Sequence, residues 1–374
     1  MKLTMFSNFL NAHQLPLCNQ FAAMDDVEFT FVSLLNTDGV VGRLPLDDDY
    51  SYVLKEYEDN SKSAMDHAIS DDVVIFGDMA GKEQYVRARA KTGKLFFRYA
   101  ERLLKRGDWW RFFPLKIYRT WNMFGRYKSS NMYVLCASAY TARDLSLFGF
   151  PSGKCLKWGY FPELPAVQRC DRINQSEPIK MCSVQRLIPL KRVDWQIRLA
   201  AELKANGYRF CLRVAGDGPD RARLEELIEN LKVSDCVTLL GELDKESVAD
   251  LMSSSDIFLA TSNRKEGWGA TINEAMAAGC CVVASDEMGS VPFLINNGLN
   301  GVSVHIDDGD MLYRLITALF NNPDTMAKMG IMAKKTIEDT WNAQEARKRF
   351  VTLSNGLRES RDLCNPVDGP LSKA

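Results

Sequence analysis

From Ile179 to Ser285 the chain alternates short apolar runs with stretches of helical length, and no other feature restricts the possible folds as much. The runs are IKMCSV, YRFCLRVAG, CVTLLG, DIFLATS and CCVVAS. Apolar runs this short, bounded by polar residues, are the mark of strands buried on both faces. The spacers suit crossover helices, expected over Asp194 to Asn206, Arg221 to Leu231 and Lys245 to Ser253. Strands alternating with helices in this way form a parallel sheet. The sharpest unit is DIFLATS, then EGWGATINEAMAAG, then CCVVAS, residues 256–285. It reads as strand, loop, helix, strand. Glu266 falls in its loop and Glu274 one turn into its helix, so both carboxylates can face one pocket at the carboxyl end of a strand. Open α/β sheets bind ligands there. Gly267 and Gly269 let backbone amides approach a ligand closely where the helix begins.

The first half carries the same rhythm less cleanly. KLTMFS is expected to be a strand, followed by a loop at Ser7 to Asn11 and a helix from about His13. EFTFVS, DDVVIFG and YVLCAS are further strands, and AYTARDLSLFGF is a helix. The proline-rich, unpatterned stretch from Pro151 to Pro178 reads as a linker. The expected division is therefore 1–165, 166–340, and a last segment 341–374 whose helix, Trp341 to Leu357, returns to the first domain before a loose polar tail. Length agrees, since 374 residues exceed one ordinary core. The fold class is α/β, with two Rossmann-like doubly wound domains facing a cleft.

Charge is close to balanced at −1 overall, yet it is segregated. Asp25 to Asp78 holds 14 acidic and 3 basic residues, whereas Lys82 to Lys128 holds 14 basic and 3 acidic. In FFRYAERLLKRGDWWRFFPLKIYRTW the cations are interleaved with aromatics. Two readings stand side by side: a lipid-facing surface with Trp109, Trp110, Phe112 and Phe113 at the interface, or an amphipathic helix pair with its aromatics in the core. Nucleic acid is not an expected partner, because the block has no RNA-recognition or zinc-finger signature. No stretch reaches the roughly 18 apolar residues of a membrane span, and the N-terminus lacks a signal-peptide pattern. A cytoplasmic protein, at most peripheral at the inner membrane face, is expected. Ten scattered cysteines without a CxxC pair, and three distant histidines, argue against disulfides and a histidine-built metal site.

Two cations, Arg186 and Lys191, follow the first strand of the second half in SVQRLIPLKRVDW. Five residues apart in a strand-end loop, they can meet two phosphates, the guanidinium as a planar fork and the ammonium as a point charge. Gly216, Gly218 and Pro219 in RVAGDGP end the next strand, but Arg221 stands where a dinucleotide site needs a third glycine. A nicotinamide enzyme is therefore not expected. Cations for a diphosphate and carboxylates for hydroxyls describe a nucleotide-sugar.

The set R-L-x-x-x-K, GDGP, LLGEL and E-G-W-G-A-T-I-N-E-A-M-A-A-G, in this order from about Ile179 to Gly301, resembles the retaining glycosyltransferases of family 4, the large group 1 family. FSNFLNAHQLPLC and KWGYFPE resemble its bacterial polysaccharide-biosynthesis members more loosely. The resemblance implies the B-type fold of two Rossmann-like domains, the second binding the donor and the first the acceptor. It implies transfer of a hexose with retention, from a nucleotide-diphosphate sugar, with UDP-sugar favoured, to a glycan or a polyprenyl-diphosphate-linked acceptor in surface polysaccharide synthesis. Glu266 would contact the sugar hydroxyls, Glu274 the ribose, and Arg186 with Lys191 the departing diphosphate. Gly216, the segment Leu240, Gly241 and Leu243, and Gly267, Trp268, Gly269, Ala270 and Thr271 complete the donor side. Neither a cofactor nor a metal is implied, and Asp47 to Asp49 reads as solvated charge. Where many relatives have a glycine-rich loop after the first strand and a sugar-binding histidine, this chain has SNFLNAHQ and no histidine after VVIFG. Asn8, Asn11 and His13 are the nearest substitutes, with His13 either a sugar contact or a local helix-start residue. A nucleotide-sugar epimerase or phosphorylase of the same fold, and a non-catalytic nucleotide-sugar-binding subunit, remain open alternatives.

Overall fold

A computed structural model describes residues 1–36, 50–163, 177–305, 307–359 and 368–374. The chain forms two compact units, Met1–Glu163 with Trp341–Ala374, and Leu164–Thr340. Each is built on one parallel sheet.

In the first unit the elements run β1 (Lys2–Ser7), α1 (Leu15–Ala22), β2 (Glu28–Ser33), β3 (Val53–Lys55), α2 (Ser61–Ser70), β4 (Val73–Phe76), α3 (Gln84–Lys91), β5 (Phe96–Ala100), α4 (Pro114–Met123), β6 (Met132–Cys136), α5 (Thr141–Ser146) and β7 (Cys155–Lys157). Their order across the sheet is β3-β2-β1-β4-β5-β6-β7. Growth runs one way from β1 through β2 and then resumes on its other edge with β4, the reversal that creates a switch point. Helix α1 starts two residues later than expected, because Pro16 is accommodated in a first turn, where a missing amide costs nothing.

Three expectations for this unit are corrected. Phe96–Ala100 is a strand, with Phe96 and Phe97 fully buried, and not part of a helix pair. It is a central strand, paired on its two edges by β4 and β6, and its residues are buried on both faces apart from the half-buried Tyr99, so the apolar alternation that would mark a half-exposed strand is replaced by an aromatic run. Strand β7 lies inside the expected linker, paired to β6 through Val134 to Cys136. The C-terminal tail is not loose over residues 368–374. Lys157 donates its amide to the Ser372 carbonyl (2.8 Å) and Leu371 donates to the Lys157 carbonyl (2.7 Å), which seats the tail on the exposed edge of β7 with Leu371 fully buried. Asp47 to Asp49 lie outside the described residues.

The second unit runs β8 (Ile179–Val184), α6 (Val193–Ala205), β9 (Phe210–Ala215), α7 (Arg221–Asn230), β10 (Val237–Gly241), α8 (Lys245–Ser253), β11 (Ile257–Ala260), α9 (Thr271–Ala277), β12 (Cys281–Ser285), α10 (Val291–Leu294), β13 (Val302–Val304), α11 (Gly309–Phe320) and α12 (Pro323–Asp339). The sheet order is β10-β9-β8-β11-β12-β13. Right-handed crossovers on either side of the β8/β11 reversal put helices on opposite faces. The packing agrees: α11 lies against α6, and α12 against α9. Both units are thus the Rossmann-like, doubly wound domains that the sequence suggests.

The last helix, α13 (Ala343–Arg358), belongs to the first unit and packs on α1. Its Phe350 is fully buried among Phe21, Phe97 and Trp158, with ring centroids 4.8 to 6.0 Å away.

Candidate functional site

The switch point of the second sheet lies between β8 and β11, and the loops leaving these strands carry the predicted cation and carboxylate. After β8 the chain makes a 3-10 turn at Pro189–Lys191, and Arg192 takes a left-handed conformation (φ 52°) before α6. A buried polar relay fixes this turn to β11. The Gln196 amide donates to the Ser183 hydroxyl (3.2 Å) and the Thr261 hydroxyl (2.9 Å), and the Thr261 hydroxyl faces the carbonyls of Lys191 (3.0 Å) and Arg192 (3.1 Å). The Asn263 amide donates to the Leu190 carbonyl (2.9 Å), so the two loops move as one. On this scaffold the Lys191 Nζ lies 2.5 Å from Glu266 Oε2, both side chains being largely buried.

Helix α9 carries Glu274 in its first turn. Burial pushes the Glu274 carboxyl above the ordinary glutamate pKa, with Lys245 acting in the opposite direction. Its carboxylate makes no hydrogen bond or ion pair among the described residues. Arg186 is exposed on the post-β8 loop and likewise forms no ion pair among the described residues. Gly267 and Gly269 are buried, and Gly269 adopts φ +88°. A β-carbon there would fall 2.5 Å from the Met288 methyl. Ala270 and Thr271 form the helix entry. Trp268, grouped with the donor-side residues from sequence, is 1% exposed. Its indole N–H donates to the Asn273 side chain (2.8 Å), so it holds the loop from beneath.

The GDGP turn has a packing reason that the sequence did not reveal. Gly216 and Gly218 have φ +122° and +158°, and β-carbons on them would lie 2.0 Å from the Gln185 carbonyl and 2.4 Å from the Leu187 carbonyl. The two loops are zipped together by bonds from Gln185 N to Ala215 O, Leu187 N to Asp217 O and Asp220 N to Leu187 O, 2.9 to 3.0 Å long. Gly216 therefore sets the height at which Arg186 is presented. Gly241 accepts from the Gly216 amide at 2.7 Å, while Leu240 projects outward, 37% exposed, and Leu243 is half-buried.

The first unit holds a cavity of about 850 Å³ at the carboxyl ends of β4 and β5. Arg102, Lys105, Lys116 and Arg119 line it together with Tyr99 and Tyr160. The Tyr160 hydroxyl donates to Glu101 (2.8 Å), and the His13 ring lies 5.6 Å from the Tyr160 ring. His13 keeps contact with solvent, yet the surrounding protein lowers its pKa from the ordinary imidazole value. The helix-start role falls to Asn11, whose side-chain oxygen accepts from the amides of His13 (3.0 Å) and Gln14 (3.1 Å). The Asn8 carbonyl accepts from Leu34 and Leu35, while its side-chain oxygen is buried without a partner among the described residues. Sequence reasoning missed Tyr99, Glu101, Arg102 and Tyr160. The signal was present in RYAER, a strand end followed by charge, once FFRYA is read as a strand. Among the described residues no cluster of three or more metal-binding side chains occurs, and no helix is long and apolar enough to cross a membrane.

A parallel sheet with a lysine–glutamate pair on the loops at its switch point defines an open, doubly wound α/β unit. Residues 169–336 match the family model described as glycosyl transferases group 1. The chain is 30% identical over 182 residues to the glycosyltransferase WcaL of Salmonella typhimurium, named for colanic acid biosynthesis, a match covering 47% of this chain and 45% of that one. It spans about half the length of the curated relatives it matches. Among solved structures it resembles the lipopolysaccharide outer core galactosyltransferase WaaB, with TM-score 0.72 and 17% identity over 96% of this chain and 99% of that one. It also resembles HepE of Anabaena solved with UDP, with TM-score 0.68 and 15% identity over 96% and 99% of the two chains. These likenesses show the fold, that of the B-type glycosyltransferases.

Proposed function

We propose that the protein transfers a hexose, with retention of anomeric configuration, from a nucleotide-diphosphate sugar to a glycan or lipid-linked acceptor in surface polysaccharide synthesis. The observation that carries this reading is the Lys191–Glu266 pair at the β8/β11 switch point, with Glu274 one helix entry away. In the transfer the bond between the anomeric carbon and the diphosphate breaks and its electron pair leaves with the phosphate. The acceptor oxygen bonds to the same carbon, and the acceptor proton leaves with the diphosphate. The barrier lies in separating an oxocarbenium-like sugar from an increasingly negative leaving group. Lys191 and Arg186 supply the opposing charge without a metal. Glu266 holds sugar hydroxyls and Glu274 the ribose. Lys191 serves the diphosphate by exchanging its contact with Glu266 for a phosphate oxygen, which frees the carboxylate for the sugar.

The cavity beside Tyr99 and Tyr160 is read as the acceptor seat, since its cations suit a phosphorylated acceptor and its tyrosines suit sugar faces. His13, one ring behind Tyr160, positions that ring. A UDP-sugar is the first donor to test, because HepE, of the same fold, is solved with UDP. The test is a thermal-shift screen of nucleotide-sugars followed by a transfer assay. A specific donor raises the melting temperature by mass action, and radiolabelled sugar then moves to a polysaccharide or lipid-diphosphate acceptor. No stabilisation by any nucleotide-sugar would sink the reading. Binding without transfer would favour a non-catalytic subunit.

A further inference from the structure

Helix α4 and the turn before it are built inside out. A surface helix normally buries its apolar stripe and exposes its polar one. In Pro114–Met123 the residues turned inward are Thr120, 2% exposed, and Lys116, half-buried on the cavity wall. The residues turned outward are Leu115 (59% exposed), Ile117 (46%), Tyr118 (63%) and Trp121 (53%). The preceding 3-10 turn, Asp108–Phe112, adds Trp109 at 55% and Phe112 at 68%. Of the fifteen exposed large hydrophobics among the described residues, eight fall between Trp109 and Met123. Singly exposed apolar residues need no explanation, but a contiguous cluster marks a surface that something covers.

This surface is also fixed in place. The buried Arg98 pairs with Glu83 and donates to the Met123 carbonyl at 3.1 Å, anchoring the end of α4. Arg143 pairs with Asp108 and anchors the turn. The apolar face is therefore a built feature and not a fraying helix.

The charges around it identify the covering phase. From Gly107 to Ser130 there are five cations, Arg111, Lys116, Arg119, Arg126 and Lys128, against one acid, Asp108, which is already engaged by Arg143. Guanidinium groups lie over the exposed rings: Arg111 is 4.7 Å from the Phe112 centroid and Arg126 is 5.5 Å from that of Trp121. Tryptophan and tyrosine beside long basic side chains settle at the boundary between acyl chains and headgroups, with the cations reaching anionic lipid. A glycan would match the rings but not Leu115 and Ile117. A protein partner would have no need of a nearly pure positive rim.

We propose that the face formed by the 108–112 turn and α4 docks the protein on a bilayer containing anionic phospholipid, with Trp109, Phe112, Leu115, Ile117, Tyr118 and Trp121 in the interface and Arg111 and Arg126 at the headgroups. The cavity, lined by Lys116, Tyr118 and Arg119 of the same helix, adjoins this face at Tyr118, so an acceptor held in the bilayer reaches it without leaving the surface. The docking itself stands whether or not the transfer reaction is as proposed.

The test is co-sedimentation of the full chain with vesicles of phosphatidylcholine alone and of phosphatidylcholine mixed with phosphatidylglycerol, followed by tryptophan emission. The protein pellets with the mixed vesicles, less so at high salt, and its emission shifts to the blue. The triple substitution Trp109→Ser, Ile117→Ser, Trp121→Ser and the double substitution Arg111→Glu, Arg126→Glu each lower the partition coefficient by about tenfold or more. Both keep the wild-type melting temperature and nucleotide-sugar response, because the altered residues are on the surface. Wild-type protein remaining in the supernatant at low salt overturns the proposal. So does unchanged pelleting of both variants, or a concentration-dependent dimer abolished by the triple substitution, which would assign the face to a second copy.

Discussion

Lys191 and Glu266, 75 residues apart in the chain, meet at 2.5 Å on the loops that leave the two strands flanking the switch point. Each is the other's competitor for the ligand. Replacing Glu266 with Gln frees the ammonium for phosphate while removing a grip on the sugar. Transfer is expected to fall by about two to three orders of magnitude, while affinity for the bare nucleoside diphosphate, measured by calorimetry, holds or rises. A parallel loss of both would show that the carboxylate does not serve the sugar. Lys191→Met should do the reverse and weaken the diphosphate most.

Gly216 and Gly218 should tolerate no side chain. Alanine at Gly216 places a methyl 2.0 Å from the Gln185 carbonyl, so the loop carrying Arg186 must shift. We expect a loss of about 3 kcal/mol in unfolding free energy together with weaker donor binding. Gly207→Ala is the control. Its φ is also positive, at +79°, but a β-carbon there meets nothing within 4 Å, so only the backbone penalty of about 1 kcal/mol applies. Equal losses at both sites would refute the packing argument.

Glu274 is held above the normal glutamate pKa by burial. An acid whose folded pKa is raised favours the folded state when protonated, and that contribution is lost as pH rises from the unfolded pKa through the folded one. At neutral pH the ionised side chain is therefore a cost, and Glu274→Gln should raise the melting temperature by a few degrees while weakening nucleotide binding. In the wild type, donor affinity should fall on acidification at a higher pH than an ordinary glutamate would give. A binding curve unaffected by Glu274→Gln would remove this residue from the ribose.

In the first unit His67 Nδ1 lies 2.9 Å from Asp71 Oδ2, and the Thr4 hydroxyl donates to the same carboxylate. The hydrogen bond to Asp71 raises the His67 pKa above 6.5 against the opposing effect of burial. Burial alone would raise Asp71, but the bonds from His67 and Thr4 outweigh it and the net shift is downward. For the histidine, the stabilisation is complete below its unfolded pKa and lost as pH rises through the folded one. For the aspartate, it is present above the unfolded pKa and lost as pH falls through the folded one. The pair thus works in the mildly acidic range. His67→Ala should cost about 1 kcal/mol there and less above neutrality, as denaturant titrations at several pH values would show. A pH-independent difference would contradict it.

If Arg186 and Lys191 neutralise the leaving group, a chelator should leave transfer intact. Abolition of activity by EDTA with recovery on adding a divalent cation would oppose this assignment.

Legibility in the sequence followed the physics of each segment. The second sheet was plain because its strands, buried on both faces, read as unbroken apolar runs such as IFLA and CVVAS. Lys191 and Glu266 stand out by the same logic, as charged residues in the loops that follow such runs. What the pattern hid was contact at a distance. The bond from the Trp268 N–H to Asn273, which fixes the donor-side loop, could not be read from the spacing. The glycines of GDGP read from sequence as strand-end turn residues, and the Gln185 and Leu187 carbonyls packed against them could not be foreseen. Strand β5 is concealed because FFRYA has a cation, Arg98, at a buried position, and the partners that make that burial tolerable, Glu83 and the Met123 carbonyl, lie outside the strand. The three-residue strand β7 carries too few residues for any period to show.

The return of α13 to the first unit makes synthesis and folding run out of step. Phe350 completes an aromatic cluster whose other members, Phe21, Phe97 and Trp158, emerge from the ribosome far earlier. At about 5–20 residues per second the second unit can be finished while the first still lacks its keystone. During that interval the first unit holds an open apolar slot along α1, so the order of birth and the order of completion are reversed for the two halves.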